Sequence, residues 1–82
     1  MASRDILVDW VLEALRARGG ASNVLGVAKY IWDHHEADLR QRGDLFYTWQ
    51  YDIRWAAQKL RNRGLLKPVD ESRTLPWELA ER

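Results

Sequence analysis

The chain has 82 residues, enough for one small domain with a modest core and little room for a second functional unit. It contains no Cys, which excludes disulfides and thiolate metal sites and is compatible with a reducing compartment. The formal net charge is only +1, so high overall basicity is not available to hold a nucleic acid, and only a localised patch could do so.

Met1 to Asp5 carries charge with no long apolar core behind it, so no signal peptide is expected. Apolar runs further on are short and interrupted by charges, so no membrane span is expected either, and a soluble, cytoplasmic protein is predicted. The spacing predicts a first helix over residues 4–18. Val8, Val11, Leu12 and Leu15 form its core stripe, Ser3 or Asp5 caps it, and Gly19-Gly20 ends it. Ile6 and Trp10 lie close to opposite that stripe. They either cover the C-terminal segment near Trp77 or serve as anchors of a homodimer contact.

Ala21-Ser22 is too short for an independent strand but can pair with a later hairpin. Ser22 or Asn23 caps a second helix from Val24 to about His34, with Val24, Val27, Ala28 and Ile31 facing inward. Gly26 weakens that helix, so tertiary packing must hold it. Residues 35–47 connect to a third helix. Either the second helix continues past His35 or a helical turn forms around Ala37–Arg42, with Leu39, Leu45 and Phe46 pinned to the core.

The third helix is expected over residues 48–64. Trp49, Ile53, Ala56 and Leu60 make a narrow apolar stripe, Thr48 can cap the start, and Gly64 can take the left-handed conformation at the end. The opposite face holds Tyr51, Arg54 and Gln58, with Trp55, Arg61 and Asn62 at its edges. Aromatic, amide and guanidinium groups on one open face suit the reading of a nucleic-acid groove. After Gly64, Leu65–Val69 and Thr74–Leu79 flank the polar turn Asp70-Glu71-Ser72-Arg73 and read as a short hairpin, a wing. Pro68 and Pro76 belong at its edges or ends. Leu66, Trp77 and Leu79 close the core beneath the helices. The expected fold is therefore mainly α with a small β-hairpin, a winged helix-turn-helix filling residues 1–82 as one domain.

Charge is unevenly distributed along the chain. Residues 40–67 hold seven Lys or Arg against Asp44 and Asp52, whereas residues 1–39 hold four against six and residues 68–82 two against four. The basic excess thus falls on the third helix and the loop before it. Arg54 is the candidate for bidentate contact with guanine, Gln58 for adenine, and Tyr51 for a thymine methyl or a phosphate. Lys59, Arg61, Arg63 and Lys67 are candidates for backbone phosphates, and Arg40 and Arg42 for a neighbouring phosphate strand. Trp55 lies off the core stripe and either contacts DNA or packs on a neighbouring loop.

These residues carry a resemblance. Val11-Leu12-Glu13-Ala14-Leu15 followed by Gly19-Gly20-Ala21 resembles the first-helix signature of the winged-helix domain at the N-terminus of Mrr-type restriction endonucleases. Asp52-Ile53-Arg54-Trp55-Ala56-Ala57-Gln58-Lys59-Leu60 with Gly64-Leu65-Leu66 resembles that family's third helix and its exit into the wing. Trp77-Glu78-Leu79 is similar to its closing strand, so the likeness runs from about Val8 to Leu79. The resemblance implies a DNA-binding module, which in those enzymes is joined to a separate nuclease domain. No nuclease is expected within these 82 residues.

Other chemistry finds little footing. His34 and His35 point about 100° apart on a helix and do not easily share an ion, so no metal site is expected. No Ser or Cys stands beside a plausible base, and Gly19-Gly20 lacks the Lys and Ser/Thr of a phosphate-binding loop. No enzyme, cofactor or small-molecule substrate is expected. The expected function is binding of double-stranded DNA, as a transcriptional regulator or stand-alone module, with a homodimer to lengthen the site. The competing class is a protein-interaction module on the same scaffold, favoured by the near-neutral charge, the acidic turn and the many aromatics outside the core stripes.

Overall fold

A computed structural model describes residues 3–68 and 76–80. A 3-10 turn at Ser3–Asp5 leads into α1 (Ile6–Ala17), followed by β1 (Ala21–Ser22), α2 (Val24–Arg40), α3 (Leu45–Asn62) and β2 (Trp77–Glu78). The described residues are thus mainly helical with a small two-stranded antiparallel sheet, an arrangement compatible with a winged helix. No helix among them is long and apolar enough to cross a membrane.

The helix α1 is buried on more than one face, because both α2 and α3 pack against it. Leu7, Val8, Trp10, Val11, Ala14 and Leu15 are all in the core, while Leu12 is only half-buried. A single amphipathic stripe, as the spacing suggested, would suit a helix with one neighbour; this one has two. Asp5 makes no side-chain capping bond, and the 3-10 turn feeds the helix instead. At the other end Gly19 and Gly20 adopt φ of 84° and 102°, and the Gly20 amide donates to the Leu15 carbonyl at 2.7 Å. Only glycine takes such angles without strain, so the pair stops α1 and turns the chain into β1.

In β1, Ala21 lies opposite Glu78 and Ser22 opposite Trp77. On the far side of β2, Leu66 bridges Leu79, Lys67 N–H donates to Glu78 O at 2.9 Å, and Ala80 N–H donates to Leu65 O at 2.9 Å. The segment 77–80 therefore runs between the loop after α1 and the exit of α3. Ala21-Ser22 does pair with the C-terminal segment, and Leu66 closes the core with Trp77 and Leu79 packed against it. The expected hairpin tip, Asp70-Glu71-Ser72-Arg73 within residues 69–75, lies outside the described residues.

Asn23 caps α2: its Oδ1 accepts from the Gly26 amide at 2.8 Å. Gly26 is buried where a methyl group would collide with Ser22 Oγ and the Arg18 guanidinium. The glycine that weakens α2 locally lets it approach the end of α1 closely. The helix continues six residues beyond His34, to Arg40, but bends at His35, whose φ and ψ are −132° and 18°. Beyond the bend, Leu39 is fully buried and Arg40 pairs with Glu36 at 2.8 Å. Leu45 is buried too, so α3 starts there and not at Thr48.

Candidate nucleic-acid interface

Seven residues fix α3 to the rest of the molecule: Leu45, Trp49, Asp52, Ile53, Ala56, Ala57 and Leu60. Its end is set by Gly64 at φ 80°, where the Leu65 amide reaches back to the Leu60 carbonyl at 2.9 Å. Thr48, expected as a cap, sits inside the helix, and its hydroxyl donates to Asp52 Oδ2 at 2.8 Å. Asp52 is the sole acid of α3 and is 8 % exposed. The solvent face of α3 consequently carries no carboxylate.

That face is a ridge of Tyr47, Gln50, Tyr51, Arg54, Gln58 and Asn62, all exposed. Tyr47 and Tyr51 stand out at 83 % and 77 % exposure. Gln58 Nε2 donates to Asn62 Oδ1 at 3.0 Å, and Arg61 Nη1 donates to Gln58 Oε1 at 3.4 Å. The C-terminal half of the ridge is thus tied into a chain of side-chain hydrogen bonds. Arg61 itself is half-buried; its Nε meets no acceptor among the described residues, and burial lowers its basicity.

The structure sorts the basic residues that the sequence grouped together. Arg40 pairs with Glu36, Arg42 with Asp38 at 2.8 Å, and Lys67 with Glu78 at 3.1 Å. These three are neutralised by carboxylates from their own chain, so they add little net positive field. Arg54, Lys59 and Arg63 are exposed and form no ion pair among the described residues. Lys59 and Arg63 nevertheless lie roughly 140° and 180° around the helix from Arg54. They line a groove with Asp5, Val8, Asp9 and Trp55. Arg54 is left as the exposed cation on the ridge without an ion pair among the described residues.

Trp55 is half-buried under the N-terminal turn. The Arg4 guanidinium lies 4.1 Å above its ring and Lys59 Nζ 5.5 Å from it. Of its two expected fates, packing is the one observed.

The expected dimer anchor needs correcting. Trp10 is only 5 % exposed and its ring stacks on His35, with centroids 4.1 Å apart and planes 10° apart. Ile6 is half-buried against the core. The bend in α2 delivers the imidazole that covers Trp10, and the indole has almost no exposed surface left to offer a partner. His35 Nε2 also lies 3.3 Å from both carboxylate oxygens of Glu13, and Tyr30 donates its hydroxyl to Glu13 Oε2 at 2.8 Å. That hydrogen bond, then burial and the carboxylate charge, raise the Tyr30 phenol above its ordinary range. His34 points away and stacks on Tyr30 at 4.0 Å. The two histidines therefore serve different rings.

Tyr47 and Gln50 were not among the sequence candidates. The sequence reading places Tyr47 in the loop, yet it stands four residues before Tyr51 and so on the same face of any helix extended by one turn. Comparison with protein-family models, with curated proteins and with solved structures returns no match for this chain.

Proposed function

We propose that the chain is a winged helix-turn-helix module that binds double-stranded DNA with α3 in the major groove. The observation that carries the reading is the solvent face of α3: arginine, amides and tyrosines along its length and no exposed carboxylate. Every group on it can donate to or accept from base edges, and nothing on it repels phosphate. The order of helices, the strand between α1 and α2, and β2 beside the exit of α3 suit the same scaffold. The residue pattern similar to Mrr-type N-terminal domains adds to this reading, as does Arg54 at the centre of the ridge. Such a module would act as a transcriptional regulator or as a stand-alone DNA-binding unit. Pairing of two copies on DNA would lengthen the site, but Trp10, covered by His35, has almost no exposed surface to give to it.

One observation favours a second reading, a protein-docking module. Arg40, Arg42 and Lys67 are satisfied internally, while two tyrosines and an arginine stand on the ridge, residue types that dominate protein interfaces. Fluorescence anisotropy of a labelled random-sequence duplex at two salt concentrations separates the two. The DNA reading expects binding that weakens as salt rises and is strongly reduced by Arg54→Ala. Absence of duplex binding at low salt would leave the protein-docking reading standing.

A further inference from the structure

Along the ridge of α3 the chemistry changes from one end to the other. Tyr47, Gln50, Tyr51 and Arg54 occupy an arc of about 100° on the first three turns. No hydrogen bond or ion pair within the described residues occupies their polar ends. Further along, Gln58, Arg61 and Asn62 bond to one another. Gln58 thus has one N–H engaged by Asn62 and one oxygen lone pair engaged by Arg61, and only the remaining N–H and lone pair are open to a base. The free hydrogen-bonding capacity of the ridge is therefore concentrated at its N-terminal half.

That half is also linked to the core through aromatic contacts. Tyr47 meets Phe46 edge-on, centroids 5.2 Å apart and planes at 79°. Phe46 lies 6.4 Å from Trp32, which stacks on buried Trp49 at 6.0 Å and 7°. The Arg40 guanidinium lies 5.3 Å from Phe46 and 5.5 Å from Trp32. A chain of rings thus runs from the core to the exposed phenol, and Arg40, held by Glu36, braces it. Arg40 acts here as a support for the aromatic chain, a role different from phosphate contact.

We infer that Tyr47 and Gln50, together with Tyr51 and Arg54, determine which duplex sequence is preferred, and that Gln58 does not. The inference rests on the proposed DNA contact and assigns sequence discrimination within it. The N-terminal part of a recognition helix is the part that reaches base edges most deeply. A phenol fits a thymine methyl with its ring and a phosphate or base acceptor with its hydroxyl, a glutamine amide fits adenine, and Arg54 fits guanine.

The test starts by selecting bound sequences from a random duplex library with the 82-residue chain. Affinities for the selected duplex and for a scrambled duplex are then measured for the unsubstituted protein and for Tyr47→Ala, Gln50→Ala and Gln58→Ala. All three sites are exposed, and circular dichroism checks that each variant is folded. Tyr47→Ala and Gln50→Ala are expected to reduce the selected-to-scrambled ratio by about fivefold or more. Scrambled-duplex affinity should change less than twofold, and Gln58→Ala should leave the ratio intact. An unchanged ratio in both Tyr47→Ala and Gln50→Ala, or a loss confined to Gln58→Ala, overturns the inference while leaving DNA binding in place. Failure to enrich or bind any duplex instead overturns the underlying DNA reading, and this inference with it.

Discussion

Trp10 and its neighbours tie three parts of the chain together at the level of single side chains. Its ring is buried and stacked on His35, whose imidazole reaches the Glu13 carboxylate that also receives the Tyr30 hydroxyl. Trp10→Ala leaves a ring-sized void and should destabilise the protein by about 3–5 kcal/mol. For a domain this size each kcal/mol shifts the midpoint by roughly 4–8 °C, so thermal unfolding should drop steeply or vanish. A variant that melts within a few degrees of the unsubstituted protein would contradict the burial. Nothing in α1 alone signals this role, because the partner ring arrives from a bend 25 residues away. The phenol of Tyr30 is a second local test. Its raised value means that folding holds the proton, so this contribution is present below the ordinary phenol value and is lost as pH rises through the folded one. Absorbance titration should place the Tyr30 phenol above the ordinary phenol range, and Glu13→Gln should bring it back down. No difference between Glu13→Gln and the unsubstituted protein would argue against the Tyr30–Glu13 bond.

At the level of elements, the readable parts were those whose cause is local. The Gly19-Gly20 and Gly64 stops, the Asn23 cap and the inward faces of Val27, Ile31, Trp49, Ile53, Ala56 and Leu60 all follow from periodicity or backbone conformation, and all are found. What the sequence left open or misplaced depends on tertiary contact. The bend at His35 lets α2 resume as far as Arg40 and bury Leu39. Buried Leu45 recruits the turn that begins α3, and Thr48 bonds inward to Asp52. Two substitutions test the α2 assignment. Asn23→Ala removes the acceptor for the Gly26 amide and should cost about 1 kcal/mol in denaturant unfolding. Gly26→Ala would raise helix propensity by about 1 kcal/mol in an open helix. Here the added methyl meets Ser22 Oγ and Arg18, so the variant should be less stable than the original. A gain in stability would mean that the Ser22 hydroxyl and the Arg18 side chain move aside at little cost.

Across the whole molecule, the decisive property is how charge is divided between internal pairs and open surface. The basic excess of residues 40–67 was plain in the sequence, but which cations remain available depends on where α2 ends, which sets the i,i+4 pairs of Arg40 and Arg42, and on Glu78, which reaches Lys67 from eleven residues away. Glu36, Asp38 and Glu78 neutralise Arg40, Arg42 and Lys67; Asp52 turns inward; Arg54, Lys59 and Arg63 stay exposed without ion pairs among the described residues. Few phosphates can therefore be engaged by this part of the chain. Each phosphate neutralised contributes a slope of about −0.9 in a plot of log affinity against log salt, and Lys59 and Arg63 face away from the ridge, so α3 predicts a slope no steeper than about −1. The most direct measurement is that salt titration of a duplex with the unsubstituted protein and with Arg54→Ala. The account predicts a shallow negative slope and, on losing Arg54, a clear fall in affinity. Affinity and slope indifferent to Arg54→Ala would contradict it and remove α3 from the DNA contact.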